Sequence, residues 1–137
     1  MTTIKTVLGT QLAAENLRIP SDTPGIELFV RNRRLAALTG FSAATTIVMV
    51  HGATFSSGSL YDVPLGGYSF IDYIAAAGFD VYALDVRGYG HSTRPEEMEQ
   101  PGDRFPPLVN TATGIRDLAT TVEFILQRRE MEQLKRP

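Results

Sequence analysis

The sequence predicts an α/β fold: a mostly parallel sheet with an N-terminal antiparallel strand pair, and flanking helices near residues 69–77 and 112–130. Three observations carry that prediction. Thr45-Thr-Ile-Val-Met-Val50 is a continuous apolar run, rich in β-branched residues, and Phe79-Asp-Val-Tyr-Ala-Leu-Asp85 is a second run of the kind that forms strands covered on both faces. Between them, Ser69-Phe-Ile-Asp72 has the form of a capping box, with a Ser N-cap and an acid at the third helical position. The helix it opens has an apolar face of Phe70, Ile71, Ile74 and Ala75 and a glycine stop at Gly78. Strand, helix, strand is a βαβ unit, which crosses over right-handed to a parallel neighbour.

Residues 1–14 are weakly patterned. Asn16-Leu-Arg-Ile19 alternates polar and apolar, Pro20-Ser-Asp-Thr-Pro-Gly25 is a dense turn signal, and Ile26, Leu28 and Val30 alternate with Glu27, Phe29 and Arg31. This predicts a hairpin or meander of two strands. It divides the chain into an N-terminal segment with the first strand, 1–24, and the main body, 25–137. Arg31-Asn-Arg-Arg34 is a charge run, read as a solvated strand end or turn rather than a binding patch. The apolar run ending at Val50 leads into His51-Gly52 and a Ser- and Gly-rich loop from Ala53 to Gly67. After Asp85 comes a long loop containing Gly88, Gly90, Pro95, Pro101 and Pro106. Ile115, Leu118, Ala119, Val122, Ile125 and Leu126 then follow helical spacing.

With 137 residues the chain has the length of one domain, enough to bury a core. The composition, 43% apolar and 20% charged, excludes a disordered, collagenous or coiled-coil chain. Thirteen Lys and Arg against fifteen Asp and Glu leave no basic footprint for nucleic acid or an anionic membrane. No cysteine is present, so disulfides, thiolate metal sites and a Cys nucleophile are excluded. Neither a signal-peptide pattern nor an apolar run of transmembrane length is readable, and the expected location is cytoplasmic. A Walker sequence is missing, and Gly88-Tyr-Gly-His-Ser-Thr93 lacks the third glycine of a dinucleotide fingerprint. His51, Asp85 and His91 could supply two imidazoles and a carboxylate to a metal, but two histidines are a thin basis. No metal and no cofactor are expected. Tyr61, Tyr68, Tyr73 and Tyr82 read as packing or loop-rim residues.

Two stretches together resemble the α/β-hydrolase family. One is Ile47-Val-Met-Val-His-Gly52 with the loop after it. The other is Asp85-Val-Arg-Gly-Tyr-Gly-His-Ser92, similar to that family's D-x-R-G-x-G-x-S pattern. The resemblance spans residues 25–130 and covers the N-terminal half of the family's fold. Both runs should end at one edge of the sheet, where open α/β folds bind ligands. Gly52 lets the backbone turn sharply, so that the next amides can face a developing oxyanion, where such donors are worth several kcal/mol. By position, the resemblance assigns the oxyanion amide to Ala53, with Thr54 as the alternative. It implies loop-holding roles for His51, Gly52, Asp85, Arg87, Gly88 and Gly90.

The family's nucleophile stands in a G-x-S-x-G elbow, and no such pentapeptide occurs here. Gly90-His-Ser-Thr-Arg94 comes nearest, but it lacks the last glycine and Pro95 follows it. The nucleophile (Ser, or Asp in some relatives), the acid and the catalytic histidine are therefore expected to be absent. The expectation is a truncated or split hydrolase, inactive alone, whose intact relative acts on an ester, amide or related bond of a small molecule. The alternatives are a non-catalytic half-domain that pairs with a complementing chain or a copy of itself, and a small ligand-binding module. In the family's strand order the 45–50 strand pairs with 79–85 on one side only within this chain. An open edge, bare helical faces and self-association follow.

Overall fold

Strand structure begins well before the first turn signal. In the computed structural model, which describes residues 1–134, β1 (Thr2–Val7) and β2 (Thr10–Pro20) form an antiparallel hairpin. Its two-residue turn, Leu8-Gly9, has positive φ at both positions, 51° and 74°, as a primed hairpin turn requires. β3 (Glu27–Leu35) returns antiparallel to β2. β4 (Thr46–Val50) follows, then α1 (Ser57–Tyr61), α2 (Phe70–Ala76), β5 (Asp80–Asp85) and α3 (Thr111–Leu134). Short 3-10 turns lie at Ala43–Thr45 and Glu96–Glu99.

The sheet runs β1-β2-β3-β5-β4. It is mixed, not mostly parallel: β1–β2, β2–β3 and β3–β5 are antiparallel, and only β4–β5 is parallel. The expected antiparallel pair is a three-strand meander. β1 escapes the sequence pattern because all its side chains except Lys5 and Val7 are exposed, Ile4 included, so no face alternates.

Strand periodicity sorts the core into two layers. From β5, Tyr82 and Leu84 point to the face covered by α3, where Ile19, Leu28, Val30 and Ile125 join them. Val81 points to the other face, against Ile71 and Ala75 of α2, with Val7 and Leu12 from the hairpin. β5 is buried along its whole length. β4 divides the same way, Val48 and Val50 toward α3 and Met49 toward α2. It is only half-buried, not covered on both faces as its apolar run predicts, because it is the sheet's last strand and has a neighbour on one side.

Two local predictions hold. Ser69 and Asp72 form the capping box of α2, with the Ser69 N–H donating to Asp72 Oδ2 (3.0 Å) and the Asp72 N–H to Ser69 Oγ (3.2 Å). α3 forms where the helical spacing predicts and extends to Leu134, though it buries Thr113, Asp117, Thr121, Ile125 and Arg129 and leaves Ile115, Val122 and Leu126 of the stripe exposed. Two others fail. The Ser- and Gly-rich loop contains α1, capped by Ser56. The Arg31–Arg34 run is not solvated: Arg31 and Arg33 are each 8% exposed and Asn32 is fully buried. They lie within β3, held by carboxylates from elsewhere in the chain. Arg31 pairs with Asp62 and Asp85, Arg33 with Asp62 and Asp72, and Arg34 with Glu15. Among the described residues, no helix is long and apolar enough to cross a membrane.

Candidate active-site scaffold

The carboxyl ends of β4 and β5 lie side by side, with Val50 opposite Leu84. His51 and Gly52 leave β4 there, and Val86 and Arg87 leave β5. His51 is 7% exposed, and both ring nitrogens are engaged. Nε2 accepts the Val86 N–H (3.0 Å), so Nδ1 carries the proton and donates it to the Gly52 carbonyl (2.7 Å). The ring lies against Tyr89, centroids 4.6 Å apart. Such a neutral imidazole holds two loops together and has no nitrogen left for general-base work.

Asp85 is fully buried and serves as a hub. Its Oδ1 accepts the Ser57 N–H (3.0 Å), and Oδ2 accepts the His91 N–H (3.1 Å) and Arg31 Nη1 (3.2 Å). Gly90 permits this closeness. Its φ is +52°, and a Cβ there would stand 2.3 Å from Asp85 Oδ2. Gly88, at φ +84°, abuts Met98 and Val109.

Arg87 joins three distant segments. Its backbone N–H and its Nε and Nη2 all donate to Asp117 of α3, while Nη1 and Nη2 reach Thr23 Oγ1 (2.8 Å) and Asp22 Oδ1 (2.7 Å) in the turn after β2. Hydrogen bonds to Asp117 raise the guanidinium pKa above its ordinary value. Asp22, held by Arg116 and Arg87, is pulled far below the usual carboxylate range.

Ser92, the serine of the nearest elbow-like string, is 4% exposed. Its Oγ donates to the Asp85 carbonyl and accepts the Phe29 N–H (2.7 Å). Both partners are backbone, so the hydroxyl fastens the loop to β3 and has no activating base. His91 is exposed, with its ring against Phe29. Among the described residues no cluster of His, Asp and Glu is arranged to hold a metal.

Above these strand ends lies a cleft of about 400 Å³, mostly apolar, between Val50, His51, Gly52 and Ala53 on one side and Ile115 and Leu118 of α3 on the other. Ala53 lines it; Thr54 does not, and takes φ +91°. Both are exposed, and neither amide has an acceptor among the described residues. A second void of about 470 Å³ continues along β4, between Val48 and Val122 with Leu126.

The sequence missed Ser57, which is fully buried. Its Oγ donates to the Leu84 carbonyl and its N–H to Asp85. A serine inside Phe55-Ser-Ser-Gly-Ser59 carries no signal that separates it from its solvated neighbours.

The geometry at the ends of β4 and β5 involves both motifs, and residues 45–134 match a model of the alpha/beta hydrolase fold, a span that holds both. A comparison with curated proteins gave no match. Covering well over half of the chain, from the start of β4 to the end of α3, that match makes the chain a member of the α/β-hydrolase fold family.

Proposed function

We propose that this polypeptide supplies the front half of a hydrolase acting on an ester, amide or related bond of a small molecule. In this reading the Ala53 amide, with Thr54 as the alternative, stabilises the oxyanion formed on attack. His51, Gly52, Asp85, Arg87, Gly88 and Gly90 hold the two loops in place. Nucleophile, acid and base come from further polypeptide, continuous or separate, and this chain alone does not turn over. The supporting observation is the loop after β4. It presents amides without acceptors among the described residues beside a mostly apolar cleft at the carboxyl edge of the sheet, and the His51 ring and the Ser92 hydroxyl nearby are occupied in backbone hydrogen bonds.

A panel of p-nitrophenyl esters tests the proposal. The purified chain and its Ser92→Ala variant should hydrolyse them equally, at the rate of the buffer control. Robust turnover that Ser92→Ala abolishes would place the reactive atom in this chain and overturn the reading.

A second reading has its own support: the chain as a half-domain whose open edge pairs with a partner. Among the described residues nothing pairs with the outer edge of β4, and α3 exposes Ile115, Ala119, Val122 and Leu126 on the same side. Sedimentation velocity separates the outcomes, since an open edge predicts concentration-dependent association and a monomer at all concentrations removes this reading.

A further inference from the structure

We infer that Ser57 is a positioning residue for the loop Gly52–Ser56, fixing the backbone of Ala53 and Thr54 from behind. The inference rests on the oxyanion role proposed for that loop.

Three consecutive residues at the end of β5 fasten both ends of the segment. At its start, the Val86 N–H donates to His51 Nε2 (3.0 Å). At its far end, Ser57 Oγ donates to the Leu84 carbonyl, and the Ser57 N–H donates to Asp85 Oδ1 (3.0 Å). The anchor is itself rigid: Asp85 is buried, ion-paired with Arg31 and packed against Gly90. Between the two fastenings stands Thr54, a β-branched residue at φ +91°. A β-branched residue in that region is strained, and such strain persists only where the surroundings over-determine the backbone. The His51 end cannot do this alone, because a loop held at one end relaxes at the other. Ser57 supplies the second end, and of its two bonds only the hydroxyl's depends on side-chain identity.

Thr54 gives a direct readout. A residue with positive φ shows an intense intraresidue HN–Hα NOE, which weakens when φ turns negative. In the intact chain Thr54 should show it. Ser57→Ala should lose it, or average it, while NOEs across the β2–β3 pairing stay unchanged. Thr121→Val is the control for general destabilisation. It removes a different buried hydroxyl, which bonds the Asp117 carbonyl within α3 (2.8 Å), and should leave the Thr54 signal intact. If Ser57→Ala does not fold, Ser57→Cys keeps the shape with a weak donor and should still weaken the signal. Full retention of the Thr54 NOE in either folded variant, or equal loss in Thr121→Val, overturns the inference. The ester panel does not enter this test, so failure of the functional proposal and failure of the positioning role are read separately.

Discussion

Gly90 is where the second motif becomes geometry. The Asp85 carboxylate turns back under the loop that follows it, and only a residue without a Cβ can pass. Gly90→Ala should cost about 1–3 kcal/mol, from the left-handed backbone and the displaced carboxylate together. The drop in urea midpoint measures it, and an unchanged midpoint would remove the close approach from the argument. Asp72 makes a different kind of prediction. Burial pushes its carboxyl up, but Lys5 at 2.6 Å, the Ser69 amide and Arg33 outweigh that and hold it below its ordinary value of 3.8. The native carboxyl is thus the stronger acid. Its stabilisation is complete above the unfolded value and is lost as pH falls through the native one. Urea midpoints should therefore be level near neutrality and fall below about pH 4, and Asp72→Asn should flatten part of that fall. His51, Gly52, Asp85 and Gly90 stood out in the sequence because they lie in two short motifs, although the contacts that hold them, such as Val86 on His51 and Arg31 on Asp85, come from far along the chain. Ser57 did not, because no local signal marks it and its partners Leu84 and Asp85 lie a βα crossover away.

Among the elements, β5, α2 and α3 declared themselves through runs, a cap and a stripe, each a local pattern. β1 and α1 did not, the first being almost wholly exposed and the second a single turn inside a polar loop. The deeper failure was β3. Charge runs usually face water, but the carboxylates that enclose Arg31 and Arg33 come from residues 62, 72 and 85, and no window of sequence brings those together. α3 is docked by a similar pair. Arg129 Nε and Nη2 clasp the buried Asp80 carboxylate at 2.7 and 2.8 Å, with Asn32 on the same group and Phe41 beneath the guanidinium. Arg129→Ala leaves that carboxylate without its cation and should cost about 3–5 kcal/mol. The double variant Asp80→Asn/Arg129→Met should recover part of the loss, since the charge is removed as well. A double-mutant cycle in urea checks both, and strict additivity would mean that the pair does not couple.

Among the described residues, the side of β4 that no strand pairs and the apolar stripe of α3 border one trough, lined by the two voids. An edge of this kind is a template for pairing. Leu126 is 63% exposed on that stripe, so Leu126→Glu should leave the fold intact and shift sedimentation toward the monomer. Unchanged association would move the contact elsewhere. The expected α/β architecture was legible in outline because the two apolar runs and the helix between them form one unit. The mixed direction of the sheet was not, since nothing in β3 itself says that β5 will lie antiparallel beside it.

The order β1-β2-β3-β5-β4 also sets a sequence of events. Synthesis delivers the meander first, and its hairpin contacts are near neighbours that close quickly. β4 then emerges with no strand to lie against on either flank. Only when Asp80–Asp85 arrives can it slot between β3 and β4, joining a finished ribbon to a stranded one. β5 is the keystone of this arch, the last of the described strands and set between two earlier ones, so a nascent chain halted before residue 80 holds a sheet that lacks the strand whose end lines the cleft.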